Sequence, residues 1–378
     1  MTNSRHFHVI IFLVSVQLFI SCNQEEPKST EYYMYISSGN NQDNFGIGVY
    51  KWIPKLKKAT LVYNDSSLAM SSYLEIDTLN ATLYAVGESG ISAHKINPKT
   101  GKLSILNKVE NVGRGPCHVS VDPTRGLLYV SYYGSGSFAV FEIKENGEVG
   151  PLLDSKFHVG LSANLERQES PHVHMALPVP QSDLILVLDL GIDKVKVYEV
   201  SQKGKLRDVG LENTAVMSPG DGPRHAVIHP TRKFVYVLNE IKGRVVGFEF
   251  DPSHGFTKQI GVWNSAEEGF DGYNKSADIH VSKDGRFLYS SNRGPNDIGI
   301  FSIDNVTGKL NKITNLDCGG DWPRAFSIDP SGRFLIIANK NSNQLSMMEI
   351  DRQSGQFEKV AEINTLLSPQ AIRFIKVQ

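Results

Sequence analysis

The sequence has little of several features that would place it in a specialised class. It contains only three cysteines, and thirty-nine basic against forty acidic side chains leave a formal net charge of -1. So balanced a chain creates no overall field that draws it to nucleic acid or to an anionic membrane. We therefore expect no nucleic-acid partner, and local groups must recognise any ligand.

The scarcity of cysteine also limits how the chain is stabilised. Cys117 and Cys318 are too few and too far apart to indicate a disulfide framework or a zinc site, so we treat them as free thiols. Hydrophobic residues make up 40% of the 378 and charged residues 21%, which is typical of a globular chain with a large core.

The one long apolar run lies at the N-terminus. After "MTNSRHFH" comes "VIIFLVSVQLFI", twelve mostly apolar residues that are too few to span a bilayer comfortably. The run ends at "SC", and the polar segment "NQEEPKST" follows. Residues 1–22 resemble a bacterial lipoprotein signal in which Cys22 becomes the lipidated first residue, and residues 23–31 form a linker. The alternative is an ordinary secretory signal.

Either kind of signal predicts export. With lipidation, the protein is a membrane-anchored lipoprotein on the periplasmic or outer-surface side, and its contact with the membrane is limited to the lipid anchor.

Beyond the leader, a repeated pattern dominates the sequence. A strand, a turn with Asp, Pro or Gly, and a second strand that usually contains Tyr recur in segments such as "PCHVSVDPTRGLLYVSYY" and "PRHAVIHPTRKFVYVLNE". The copies begin at residues 73, 116, 171, 223, 276 and 323. Each is followed by a third and a fourth strand, and the spacing suits units of four strands.

Repeated four-stranded units indicate an all-β protein, a β-propeller. Six units are complete, and the two chain ends supply a seventh: "EYYMYISSG" and "IGVYKWIPK" lack a first strand, whereas "SPQAIRFIKV" at 368–377 is a first strand alone. We predict a seven-bladed β-propeller over residues 32–378, closed by the C-terminal strand pairing into the N-terminal blade.

Charged and polar residues recur at equivalent corners of the units. The start of a first strand lies beside the end of the second, so these corners meet at one rim if the first strands are innermost. The corner residues are Arg114, His118, His172, His174, Arg224, His225, Glu240, Asn292, Arg293, Arg324, Asn339 and Lys340.

Any one of these residues would ordinarily be a solvated or structurally satisfied group. Together around one concavity they are costly unless they meet a ligand. His172 and His174 alternate on one strand face and could hold a metal, but no third ligand is identifiable. We expect no metal and no cofactor.

At these corners the residues resemble a known family. The segments "GRGPCHVSVDP", "SPHVHMALPVP", "GDGPRHAVIHP" and "FLYSSNRGPNDIGIFSID" resemble the propeller-type lactonases, which include 6-phosphogluconolactonases and carboxy-muconate lactonizing enzymes. The resemblance covers about residues 32–378 and implies seven blades. It also implies an active site formed by His172 or His174 with Arg224, Glu240 and Arg293.

Such a set suits the hydrolysis of a sugar lactone, as by a 6-phosphogluconolactonase. A neutral His activates water, Glu240 orients that His or is itself the base, and the two arginines bind an anionic substrate and the developing oxyanion. We expect Arg114, His118, His225, Asn292 and Arg324 to contribute to substrate binding. The expected partner is a small anionic lactone or sugar acid.

Two other functions stay open: a lactonizing cycloisomerase of the carboxy-muconate type and a propeller that binds an anion without catalysis. No nucleophilic Ser elbow is present, which disfavours a covalent acyl-enzyme. Export conflicts with a cytosolic sugar phosphate and favours an unphosphorylated sugar acid lactone or another extracytoplasmic ester.

Overall fold

Seven antiparallel sheets surround a common axis in the computed structural model, which describes residues 30–39, 46–68, 70–365 and 368–378. The strands of the first three blades are β1 (Tyr32–Ser38), β2 (Ile47–Ile53), β3 (Lys58–Asp65), β4 (Tyr73–Asp77), β5 (Thr82–Gly87), β6 (Gly90–Ile96), β7 (Leu103–Val109), β8 (Pro116–Asp122), β9 (Leu127–Tyr132), β10 (Ser137–Ile143) and β11 (Val149–Phe157).

Blades four and five contain β12 (Val173–Pro178), β13 (Leu184–Asp189), β14 (Lys194–Val200), β15 (Leu206–Asp208), β16 (Ala215–Val216), β17 (Pro223–Ile228), β18 (Phe234–Asn239), β19 (Arg244–Asp251) and β20 (Gly255–Asn264). The remaining strands are β21 (Lys275–Val281), β22 (Phe287–Arg293), β23 (Asp297–Ile303), β24 (Leu310–Asp317), β25 (Pro323–Ile328), β26 (Phe334–Asn339), β27 (Gln344–Ile350), β28 (Phe357–Asn364) and β29 (Pro369–Lys376).

The first strand of each unit lies innermost. The strands β29, β4, β8, β12, β17, β21 and β25 contact one another in that order, and the last contacts β29 again. This closed circle confirms the seven-bladed propeller and brings the starts of all seven inner strands to one end of the axis. We call that end the mouth.

The chain ends close the ring as predicted. In the N-terminal blade the order is β29, β1, β2, β3, and β29 pairs antiparallel with β1 from Tyr32 opposite Lys376 to Ser37 opposite Ala371. The inner strand of this blade therefore comes from the opposite end of the sequence.

The repeated tyrosines of the second strands join neighbouring blades. In four blades the hydroxyl of this tyrosine donates to a glycine carbonyl in the outer hairpin of the next blade, which satisfies a polar group inside an apolar interface. The four bonds are Tyr35 to Gly101 (2.8 Å), Tyr84 to Gly147 (2.9 Å), Tyr236 to Gly308 (2.8 Å) and Tyr289 to Gly355 (2.9 Å). The tyrosines that recur in the sequence thus lie where neighbouring blades contact each other.

Helical structure in the described ranges is limited to single 3-10 turns. They span Pro54–Leu56, Tyr133–Ser135, Leu190–Ile192 and Leu211–Asn213. Within the same ranges no helix has the length and apolarity needed to cross a membrane. The predicted leader, including Cys22, lies outside the described residues.

Candidate active site at the mouth of the propeller

The corners of the blades share one backbone hydrogen bond. The Glu240 N–H, just after β18, donates to the Gly222 carbonyl, just before β17, at 2.7 Å. The same bond recurs from Tyr133 to Gly115 (2.9 Å) and from Lys340 to Trp322 (3.0 Å). The end of each second strand therefore meets the start of the first at the mouth, as the pairing argument predicts.

Glu240 is the centre of a buried cluster of charges. Its Oε2 atom lies 2.9 Å from Arg224 Nε and 2.9 Å from Arg293 Nη2, and its Oε1 atom lies 2.7 Å from Arg167 Nη2. The carboxylate is 5% exposed, and the cluster joins blades five and six to the connection before blade four.

The charges of this cluster determine its protonation. Burial raises the pKa of Glu240, but Arg293, Arg224 and Arg167 outweigh burial and hold that pKa well below its usual value. Glu240 is therefore a carboxylate of low basicity that organises three guanidinium groups. Burial lowers the pKa of Arg293 to about 10, so this group remains a cation at neutral pH.

Arg167 is the member that the sequence did not reveal. It lies between β11 and β12, in a connection that is longer than those that lead into the other inner strands. Besides Glu240 it contacts the Tyr133 hydroxyl at 3.3 Å. Glu240 raises the pKa of Arg167 against the lowering effect of burial.

Two further cations at the mouth have no ion-pair partner in the part of the chain that the structure describes. Among the described residues, neither the Arg324 guanidinium nor the Lys340 ammonium forms a side-chain hydrogen bond or a salt bridge. Burial, followed by Arg224 and Arg293, lowers the pKa of Arg324 to about 9, and burial lowers the pKa of Lys340. Unpaired cations beside a cluster that is already positive form a site for an anion.

The two histidines of the "PHVH" segment have different surroundings. His172 stacks on the Tyr133 ring, with centroids 4.3 Å apart, and its two ring nitrogens contact the Tyr133 carbonyl (3.0 Å) and Glu169 (3.2 Å). His174 packs edge-on to the same Tyr133 ring but is 5% exposed, and its Nδ1 atom has no hydrogen-bond partner in the described part of the chain.

The electrostatic environment keeps His174 neutral. Burial and then the Arg224 guanidinium lower the pKa of His174 well below its usual value. A neutral imidazole with an unpartnered nitrogen beside a cationic cluster has the features of a proton acceptor.

Deeper along the axis, further histidines approach His174. The ring centroids of His174 and His225 are 5.2 Å apart, and those of His225 and His118 are 5.8 Å apart. His225 Nδ1 lies 2.9 Å from Asp278 Oδ1, whereas burial and Arg224 lower the pKa of His225 to about 4. The repeat pattern in the sequence did not indicate a role for Asp278, which is buried within β21.

Cys117 is the remaining reactive group near the cluster. Its Sγ atom contacts the His174 carbonyl at 3.4 Å. Burial raises the pKa of the Cys117 thiol to about 12, so at neutral pH it is not the thiolate that nucleophilic catalysis requires. Both Cys117 and Cys318 are free thiols, as expected.

Some predicted binding residues lie apart from the cluster. Arg114 is exposed, and its side chain donates to the Gly134 carbonyl at 3.2 Å. Asn292 is buried, accepts a hydrogen bond from Ser276 and donates one to Asp297, so its side chain is occupied within blade six. Asn339, which belongs to the corner residues but not to the predicted binding residues, is also buried and donates to the Ser346 hydroxyl at 2.9 Å.

A buried carboxylate fixes the two loops that supply the cluster. Asp193 lies between the connection that carries Arg167 and the turn that leads into Arg224. Its oxygens accept hydrogen bonds from Ser162, Gln168, Gly220 and Gly222. Asp193 therefore sets the relative position of Arg167 and Arg224 without belonging to the cluster.

Within the described ranges, no three side chains of His, Cys, Asp and Glu come together in a way that could hold a metal ion. The chemical groups at the mouth are therefore guanidinium groups, imidazoles and one carboxylate.

Fold and mouth together define a seven-bladed propeller with a cationic site at its axis. The chain is a member of the family described as "Lactonase, 7-bladed beta-propeller", whose model matches residues 33–374. The resemblance inferred from the motifs is thereby confirmed, and the chain is a lactonase-type hydrolase.

Individual relatives agree with this family. The 6-phosphogluconolactonase of Bacillus subtilis is 32% identical over 306 residues, which is 80% of this chain and 86% of that protein. The 6-phosphogluconolactonase of Formosa agariphila is 33% identical over 296 residues, covering 76% of this chain and 83% of that protein.

A solved structure gives the same result. The periplasmic gluconolactonase of Pseudomonas aeruginosa is 27% identical and superimposes with a TM-score of 0.85, covering 92% of this chain and 100% of that one.

Proposed function

We propose that the protein hydrolyses a sugar lactone that carries an anionic substituent, with 6-phospho-D-glucono-1,5-lactone as the reference substrate. The observation that carries the proposal is the Glu240 cluster with two unpaired cations beside it. One carboxylate faces Arg167, Arg224 and Arg293, and the pair formed by Arg324 and Lys340 has no compensating anion in the described residues.

In this proposal the cations have two tasks. Arg324 and Lys340 bind the anionic substituent, because no described residue engages their side-chain donors. Arg224 and Arg293, held by Glu240, stabilise the negative charge that develops on the lactone carbonyl oxygen as water adds. Glu240 serves as an organising carboxylate, since its two oxygens are engaged by Arg167, Arg224 and Arg293.

The proton acceptor is His174. Both ring nitrogens of His172 are engaged, whereas His174 is neutral and has a nitrogen without a partner in the described residues. His174 accepts a proton from the attacking water, the ring C–O bond breaks, and the proton passes to the departing ring oxygen. No covalent intermediate is required, in agreement with the high pKa of Cys117.

Export and lipidation at Cys22 remain part of the proposal. An exported enzyme would meet an unphosphorylated aldonolactone, and the periplasmic gluconolactonase of Pseudomonas aeruginosa supports that alternative substrate. The contribution of Arg324 and Lys340 to binding distinguishes a phosphorylated substrate from an unphosphorylated one.

The test is a lactone-opening assay on residues 23–378. Proton release from fresh 6-phosphogluconolactone and glucono-1,5-lactone is followed with spontaneous opening subtracted. We expect acceleration by the native protein and a loss of roughly 100- to 1000-fold in the double variant Arg224→Ala, Glu240→Ala, by analogy with lost oxyanion donors. Arg286→Ala, on the face opposite the mouth, is the control and should keep full activity.

Failure of the native protein to open either lactone would refute this function. The same samples then test the alternatives: ring formation from an unsaturated dicarboxylic acid would indicate a cycloisomerase, and binding of sugar acids without turnover would indicate an anion-binding propeller.

A further inference from the structure

Trp322 has a backbone conformation that large side chains rarely adopt. Its φ angle is +66°, in the left-handed region that favours glycine. The shared corner hydrogen bond makes Trp322 equivalent to Gly115 (φ +61°) and Gly222 (φ +70°) of other blades. Blade seven therefore has a tryptophan where two other blades have glycine, and this choice costs folding free energy. Strain of this kind is typical of functional sites.

The position of the ring suggests what this tryptophan provides. Trp322 is half-buried at the mouth and precedes Arg324 by two residues. The Arg293 guanidinium lies 5.5 Å from the centre of its ring. The Tyr273 ring stacks against it with centroids 6.4 Å apart and planes 20° apart, and Tyr273 is 61% exposed. We call these two residues the aromatic shelf.

The shelf is held in place by its surroundings. The Trp322 backbone N–H donates to Asn296 Oδ1 at 2.9 Å, and its carbonyl accepts the corner bond from Lys340. The backbone that carries the indole is thus fixed before any ligand arrives, which reduces the entropy lost on binding.

A flat apolar surface beside unpaired cations matches one class of ligand. A pyranose or aldonolactone ring has an apolar C–H face that packs on aromatic rings, and Arg324, two residues after Trp322, offers a cation to an anionic substituent on that ring. A simple inorganic anion would use the cations and gain nothing from the shelf.

We propose that the aromatic shelf of Tyr273 and Trp322 is the subsite that binds the sugar ring of the ligand, with Trp322 as the specificity-determining residue. The class of ligand rests on the proposed function. The shelf acts on binding, so it should affect KM more strongly than kcat.

Glycine at position 322 gives a favourable test because it suits the left-handed backbone. Trp322→Gly removes the ring and the strain together, so we expect the melting temperature to be kept, whereas KM for the lactone and Kd for gluconate and 6-phosphogluconate should rise roughly tenfold, with kcat changed less than about twofold. Trp322→Phe keeps a ring face and should bind within about threefold of the native protein. Leu79→Ala, an exposed apolar residue on the opposite face, is the control.

Binding is measured by calorimetry, which does not depend on turnover. Trp52 is buried and Trp263 is half-buried in the outer strand β20, so a saturable change in tryptophan fluorescence on adding a sugar acid should disappear in Trp322→Phe. Inorganic phosphate is the second probe and should bind Trp322→Gly and the native protein equally.

The outcomes separate this inference from the proposed function. Unchanged sugar-acid affinity in Trp322→Gly would overturn the shelf, even if the native protein opens lactones. Absence of sugar-acid binding by the native protein would overturn it as well. Native binding that weakens in Trp322→Gly, without opening of any lactone, would support the shelf and refute the hydrolase proposal.

Discussion

Arg167 and Glu240 form a 2.7 Å ion pair although 73 residues separate them in the sequence. The pair joins the connection before blade four to the corner of blade five. It also places a cation at the outer edge of the buried cluster, because 28% of the Arg167 side chain is exposed whereas Glu240 is almost fully enclosed. The loop that carries Arg167 therefore completes the site.

Replacing Arg167 tests this role. Arg167→Ala should reduce kcat/KM for the lactone by about 10- to 100-fold, because a group that positions the cluster and the substrate is lost. The melting temperature should fall only slightly, since Arg224 and Arg293 still compensate Glu240. Arg167→Lys keeps the charge and should be intermediate. Native kinetics in Arg167→Ala would show that the ion pair is not used in the reaction.

Removing the carboxylate should have a different effect. Glu240→Gln leaves three guanidinium groups near one another without an anion, and we expect a loss of about 3–5 kcal/mol in the free energy of unfolding. Urea denaturation near neutral pH measures it. A loss below about 1 kcal/mol would contradict the view that Glu240 holds the cations together.

The pH dependence of that loss has a definite sign. The pKa of folded Glu240 lies below its ordinary value of 4.5, so the unfolded chain binds the proton first as the pH falls. The stability contributed by Glu240 is fully present above the unfolded pKa and declines below it. The difference in the free energy of unfolding between the native protein and Glu240→Gln should therefore narrow as the pH falls below about 4.5.

Much of the fold could be predicted from the sequence, because each blade repeats a local pattern. The tyrosines that join blades recur in the same strand, and the incomplete units at the two ends complement each other. Arg224, Glu240 and Arg293 lie at equivalent corners and could be grouped by topology and family resemblance. The corner bond that the pairing of strands requires brings Glu240 beside Arg224, and the contact of blades five and six adds Arg293.

The rest of the site depends on features without a repeat. Arg167 lies in an irregular connection, so no alignment of blades assigns it to the mouth. Asp278 occupies a buried strand position where alternation alone predicts an apolar side chain. The left-handed backbone at Trp322 is visible only by comparison with Gly115 and Gly222, since a backbone angle is not apparent from the residue type.

The buried histidines make a further prediction. The pKa values of His118, His174 and His225 are all lowered, chiefly by burial, and that of His225 falls to about 4 from 6.5. At a pH between the folded and the unfolded pKa of such a histidine, the unfolded chain binds more protons than the folded chain. The free energy of unfolding is therefore highest above about pH 6.5. It decreases on acidification by about 1.4 kcal/mol per pH unit for each histidine.

His225→Asn isolates one of these contributions. The Asn amide keeps a donor for Asp278 but does not titrate, so the slope of unfolding free energy against pH should decrease by about 1.4 kcal/mol per unit between about pH 4.5 and about pH 6. Urea denaturation at several pH values measures the slope. An unchanged slope would mean that His225 titrates normally in the folded protein.

The final prediction concerns the C-terminal strand. Deletion of residues 369–378 removes β29, the inner strand of the N-terminal blade, and exposes the edge of β1, where Tyr35 and Ile36 are fully buried. It also breaks the contacts of Arg373 Nε with both oxygens of Glu75, at 2.9 Å each, which tie this strand to the next blade.

We expect the melting temperature of the truncated chain to fall by more than about 10 °C. Each loss of about 1 kcal/mol in the free energy of unfolding lowers the melting temperature by only a few degrees in a chain of this size, and removal of an inner strand costs several times that amount. The melting temperature of Arg373→Gln, which loses only the ion pair, should fall by less. Deletion of residues 377–378 alone leaves β29 intact and should leave melting close to native. A truncated chain that melts like the native protein would mean that the ring is stable without its closing strand, because the contacts between the other blades would then suffice to hold the propeller together.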